Sequence, residues 1–148
     1  MDTKIQTFWQ NFQQQHQVST NKYEAWSFGA NPQMADELAQ LVLSGQKTAT
    51  TSALETYESN EPLPKVGEYN IILDGQNQPV CVTQTKVVEI IPFDQVSAEH
   101  AYHEGEGDRT YDYWRRVHVD FFETEYQKLT STFNLQIPCV CEVFEVVK

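Results

Sequence analysis

A chain of 148 residues, 40% hydrophobic and 12% aromatic, is the right size for one globular domain with its own core and is not the composition of a disordered segment. Its formal net charge of −11 repels phosphate backbones, which excludes an extended interface with duplex nucleic acid but leaves room for a local pocket taking a nucleoside or a short single strand. No stretch approaches the roughly 18 apolar residues of a membrane span, so no membrane partner is expected. The opening MDTKIQTFWQNFQQQHQ is polar, with no apolar run of signal-peptide length. With an odd set of cysteines (Cys81, Cys139 and Cys141), this predicts a cytoplasmic protein with reduced thiols. Cys139 and Cys141 fit no zinc-ligand spacing, and neither a metal nor another cofactor is expected.

In chain order, residues 4–17 read as a helix, with Ile5, Phe8, Trp9 and Phe12 at three- and four-residue spacing. Asn31 and Pro32 supply the N-cap and first turn of a second helix over 32–43, with a stripe of Met34, Leu38, Leu41 and Val42 and a stop at Gly45. The threonine-rich KTATTSALETYE fits a strand or a short helix. GEYNIILDG and PVCVTQTKVVEIIPF then read as strands joined by a turn from Asp74 to Gln78, a hairpin. DQVSAEHAYHEGEG reads as a loop and short helix. DRTYDYWRRVHVDFFETEYQ reads as a long helix with Tyr113, Trp114, Val117, Phe121 and Phe122 on one side, and IPCVCEVFEVVK as a final strand. Early helices followed by antiparallel strands predict an α+β domain whose sheet curls into a small barrel.

Lys47 in GQKTAT, just past a helix-ending glycine, complements the helix dipole without any further role, or it is a reactive amine beside a threonine. The blocks YEAWSFG, MADELAQLVLSGQKTATTS, LPKVGEYNIILDG and HAYHEGEGDRTYDYWRRVH, in that order, resemble bacterial ASCH-domain proteins of similar length. GQKTAT itself resembles the G-x-K-x-x-[ET] signature of that domain, a relative of the PUA-like RNA-binding barrels. The resemblance covers roughly residues 8–146 and implies a single ASCH (PUA-like) domain over 1–148, a small PUA-like barrel or curled antiparallel sheet with flanking helices. It also implies a cleft between the signature helix and the barrel that accepts a nucleoside or RNA.

Lys47 matches the signature lysine, and Thr50 stands where the family often has glutamate. The same variant occurs in a small bacterial ASCH amidohydrolase that removes the acetyl group from acetylated cytidine, using a lysine, a threonine three residues on and a distant glutamate. The match makes Lys47, Thr50 and Glu104 the expected catalytic residues, with Glu106 as the alternative acid. Amide hydrolysis needs a nucleophile, a base, an acid for the leaving amine and donors for the oxyanion. A lysine serves as base only if its pKa falls from about 10.4 toward about 7–8. Lys47 and Thr50 share a face only if the segment is helical.

Other candidates come with plain alternatives. Trp26 and Phe28 stack on a base or fill the core. Thr48 contacts a ligand or is an ordinary strand residue. In EGEGDR, Glu104, Glu106 and Asp108 offer oxygens to a ligand or to a divalent metal, or form a structural loop in which Asp108 caps the next helix. The chain's arginines, Arg109, Arg115 and Arg116, fall in one block; Arg109 and Arg116 are substrate-binding candidates, or solvated charges. His100 and His103 share a helical face but lack a third ligand nearby for a metal. Three functions fit: an amidohydrolase acting on a modified nucleoside, a single-strand ribonuclease, and a non-catalytic RNA- or nucleotide-binding module.

Overall fold

The computed structural model describes residues 3–29 and 31–148. Its elements, in order, are α1 (Thr3–His16), β1 (Glu24–Ser27), α2 (Pro32–Ser44), β2 (Ala49–Ala53), β3 (Tyr69–Leu73), β4 (Pro79–Pro92), α3 (Ala98–Glu104), α4 (Tyr111–Tyr126) and β5 (Pro138–Val146). The strands form one sheet in the order β1-β3-β4-β5-β2. β1 runs parallel to β3, and the other neighbours are antiparallel. β4, 14 residues long, pairs with β3 through its first half and with β5 from Thr83 to Pro92. A register shift between Thr85 and Val87 adds the local bend expected of a bulge. The sheet curls into a half-barrel, so the edge strands β1 and β2 come to line one cleft. This is the α+β architecture the sequence predicts. No described helix is long and apolar enough to cross a membrane.

Strand alternation divides the core. On the inner face, α2 packs Leu38, Ala39 and Val42 against Phe28, Ile72, Cys81 and Phe144. On the outer face of β3 and β4, α1 lays Trp9 and Phe12 on Ile71, Leu73 and Val82, each large side chain contributing roughly 1.5–3 kcal/mol on burial. On the outer face of β2 and β5, Ala53, Cys139 and Cys141 meet Trp114, Phe122 and Tyr126 of α4. Cys139 and Cys141, two apart on one strand, share that face. Burial pushes their thiols up, to about 12 and about 11, so they are inert packing groups.

Three local expectations change. The buried face of α2 is Ala35, Leu38, Ala39 and Val42, while Met34 is 39% exposed; the two alanines let the helix approach the sheet closely, rotating the stripe away from Met34. On α4 the buried residues are Trp114, Phe122 and Tyr126, and Phe121 faces solvent. The α4 N-cap is Thr110, whose Oγ1 accepts from Tyr113 N, and Asp108 instead accepts from the Thr110 N–H and hydroxyl. At α2 the expected caps are present: Asn31 Oδ1 accepts from Met34 N, and Gly45 closes the helix at φ 86°.

Candidate functional site

The ambiguous threonine segment is a strand, and this decides the site. Thr50 and Thr51 point to opposite faces of β2. Thr50 and Ser52 face inward, with Glu142 of β5 paired across from Thr50. They line a cleft of about 420 Å³ on the half of the inner face that α2 leaves uncovered. Its opposite wall is Trp26 of β1 with Asn70 of β3, and the loop carrying Tyr57 and Leu63 closes over it. Ser52 Oγ and the Tyr57 hydroxyl lie 2.8 Å apart, which holds the tyrosine at the rim. Glu24, Glu61, Glu68 and Glu142 contribute carboxyls, and no lysine or arginine lines the cleft among the described residues. Burial, first, and then neighbouring glutamates raise the carboxyl pKa values of Glu142 and Glu68 above the ordinary carboxylate range.

Thr51 faces outward, into a buried ionic cluster. After the Gly45 turn, Lys47 N donates to Leu41 O and Thr48 N to His103 O, tying the signature loop to α2 and α3. Lys47 is 1% exposed. Its Nζ donates to Ala49 O at 2.8 Å and Glu106 Oε2 at 2.9 Å, and lies 3.4 Å from both Glu104 O and Glu104 Oε1. Glu104 is 2% exposed, and its Oε2 accepts from Thr51 Oγ1 at 2.7 Å and Trp114 Nε1 at 2.6 Å. His100 and His118 stand at 3.7 and 3.6 Å from the same oxygen. Burial alone would push the Glu104 carboxyl up; the Lys47 ammonium, with His118 and Thr51, outweighs it and holds the carboxyl well below the usual range. Burial lowers His100, with only partial relief from Glu104, whereas at His118 the Glu104 carboxylate overcomes burial and raises the pKa. A carboxylate this deep is tolerable because each oxygen is paired.

The expected site residues therefore divide. Trp26 and Thr50 line the cleft, while Lys47, Glu104 and Glu106 belong to the cluster. Because β2 is extended, Lys47 and Thr50 share no helical face, and among the described hydrogen bonds the threonine joined to Glu104 is Thr51. Phe28 touches both regions: its buried ring packs edge-on to Trp26 at 4.4 Å and lies 5.2 Å from the Lys47 ammonium. Thr48 joins the strands through its backbone, with its carbonyl accepting from Phe144 N. Arg109, at φ 64°, stacks its guanidinium on Tyr102 at 3.7 Å and donates to Tyr102 O; Arg116 is exposed beside Tyr113. Neither arginine lines the cleft.

Sequence reasoning passed over His118, Trp114 and Thr51 around Glu104, and Asn70, Tyr57 and Glu142 in the cleft. His100 and Glu104, four apart on one short helix, were the one local signal available. No group of histidine, cysteine, aspartate or glutamate suited to holding a metal ion occurs among the described residues.

The same fold recurs in known proteins. The crystal structure of protein EF3133 from Enterococcus faecalis V583 superposes with a TM-score of 0.90 at 42% identity, over 99% of this chain and 90% of that one. That of an ASCH domain from Lactobacillus crispatus JV V101 gives 0.88 at 29% identity, over 99% and 95%. Among curated proteins there is no match. The sequence model of the ASCH domain matches residues 24–148, and the chain belongs to the ASCH-domain family, with its PUA-like fold.

Proposed function

We propose that the cleft between β1 and β2 binds the base of a nucleoside, or of an unpaired nucleotide in RNA, stacked on Trp26. The observation that carries this reading is the lining: an aromatic wall and neutral hydrogen-bonding groups, with four carboxyls and, among the described residues, no cation. The cleft volume is within the roughly 300–1,000 Å³ of small-molecule sites. Trp26, half-buried, has its Nε1–H donated to Asn70 Oδ1 at 2.9 Å, so the indole is fixed before any ligand arrives. Carboxyl groups tolerate an uncharged nucleoside and repel a phosphate. The test is calorimetric titration with the four common nucleosides and their 5′-monophosphates. Nucleosides bind more tightly than the monophosphates, and Trp26→Ala loses about 1–3 kcal/mol, the worth of one stacked base. Tighter binding of monophosphates, or no effect of Trp26→Ala, contradicts the reading.

Hydrolysis of an acylated base is a second reading, favoured by the Thr50 hydroxyl in the cleft wall. Water adds to the acyl carbon, the C–N bond breaks, and the base leaves as its free amine with a proton. Thr50 positions that water, or attacks first, its proton leaving with the amine and water then cleaving the threonyl ester to release the acid. Lys47, committed to Ala49 O, Glu106 and Glu104 and outside the cleft lining, holds the neighbouring cluster in this reading rather than taking the proton. The assay is conversion of acetylated cytidine to cytidine and acetate: wild type turns over and Thr50→Val does not. Absence of product from wild type removes hydrolysis and leaves binding. Single-strand cleavage is disfavoured by the carboxyl lining; cleavage of a short labelled RNA, lost in Thr50→Val, would replace this reading with the ribonuclease one.

A further inference from the structure

We infer that Glu142 is a specificity-determining residue that selects an amino-bearing base, its free carboxyl oxygen accepting from the exocyclic amine while the ring stacks on Trp26. The inference rests on the cleft's being a nucleoside site. Glu142 is 6% exposed yet lines the cleft. A one-way chain of hydrogen bonds crosses four strands to reach it. Trp26 Nε1 donates to Asn70 Oδ1 at 2.9 Å, Asn70 Nδ2 to Thr85 Oγ1 at 3.4 Å, and Thr85 Oγ1 to Glu142 Oε1 at 3.1 Å. The direction is forced. The indole has only a proton to give, the amide then presents its NH₂ side to Thr85, and the single threonine hydroxyl proton goes to the carboxyl.

The Thr85 bond is the one side-chain hydrogen bond described for Glu142. Oε2 therefore keeps its lone pairs, and it is not among the fully buried atoms left without a partner. A base seated on Trp26 covers that oxygen, and covering it without a partner is costly unless the ligand itself donates to it. The chain also couples the stacking surface to the reading group, so both are held at fixed separation before binding. An amino group on the base meets Oε2 as donor to acceptor. A carbonyl in the same place, as in uracil, sets oxygen against oxygen.

The probes are cytidine and uridine, with adenosine and inosine as a second pair, titrated into the full chain at about pH 8 by calorimetry. Wild type prefers cytidine over uridine by about tenfold or more, the scale of a good base-edge contact. Glu142→Gln keeps the acceptor for Thr85 but turns an NH₂ toward the cleft, so the preference vanishes or reverses. Persistence of the preference in Glu142→Gln overturns the inference and leaves the cleft reading intact. Binding by wild type without any preference does the same. Failure of wild type to bind any of the four overturns both. If circular dichroism shows Glu142→Gln unfolded, Thr85→Val takes its place: cytidine affinity falls several-fold with uridine unchanged, and equal effects on the two nucleosides overturn the inference.

Discussion

Lys47 and Glu104 show how a single ion pair becomes costly to disturb once it is buried. Removing one partner leaves an uncompensated charge in the interior, and Lys47→Met is expected to lose about 3–5 kcal/mol. Adding Glu104→Gln to that variant recovers part of the loss, because the orphaned charge is gone. Urea denaturation of the two single variants and the double checks this, and strictly additive losses would show that the two side chains do not sense one another. The two buried carboxyls shift in opposite directions, so they shape stability oppositely. Glu104 is depressed in the folded state; its contribution is present above the ordinary carboxylate pKa of about 4.3 and is lost as pH falls toward the depressed value. Glu142 is raised; its contribution is present below that ordinary value and is lost as pH rises through the raised one. Urea midpoints measured across pH 3–7 therefore flatten on the acid side in Glu104→Gln. In Glu142→Gln they rise near neutrality, where a buried carboxyl no longer has to ionise.

At the scale of elements, the join between the signature loop and α3 is the critical contact. Gly45 and Gly105 both adopt positive φ, at 86° and 73°, but their surroundings differ. A Cβ on Gly45 meets nothing, whereas one on Gly105 runs into the Gln46 backbone, whose side chain also donates to Gly105 O at 2.6 Å. Gly45→Ala is expected to cost about 1 kcal/mol from backbone strain alone. Gly105→Ala costs distinctly more and loosens Lys47 as well. Thermal melts of the two variants decide this, and equal shifts would mean the close approach is not rigid. Much of this level was legible in the sequence. Asn31, Pro32 and Gly45 bracket α2 because capping chemistry is local, and the hairpin of β3 and β4 shows in its turn residues. β2 was not legible, because a run of threonines suits either period and its extended form is fixed by pairing with β5. The cleft was least legible of all. Trp26, Asn70, Glu142 and Thr50 of its lining, with Thr85 linking Asn70 to Glu142 behind it, come one from each strand, and only the sheet order brings them together. The resemblance to the ASCH signature pointed to Lys47 and Glu104, which the fold does unite, but no local pattern separated Thr50 in the cleft from Thr51 in the cluster.

The whole molecule combines a charge of −11 with a half-barrel open on one side. That field disfavours a long phosphate track and leaves uncharged ligands unaffected, so nucleoside affinity should change little with salt while any residual mononucleotide binding strengthens as salt rises. The arginines do not line the cleft; Arg109 stacks on Tyr102 and Arg116 lies beside Tyr113. An RNA docking through them would use a different face. Amide and indole chemical-shift mapping during a cytidine titration distinguishes the two most directly. The Trp26 indole resonance and the amides of Thr50, Ser52 and Asn70 are expected to shift together with one affinity, while those of Arg115 and Arg116 stay fixed. Shifts confined to α4 and the Arg109 loop, with the Trp26 indole unmoved, would contradict it.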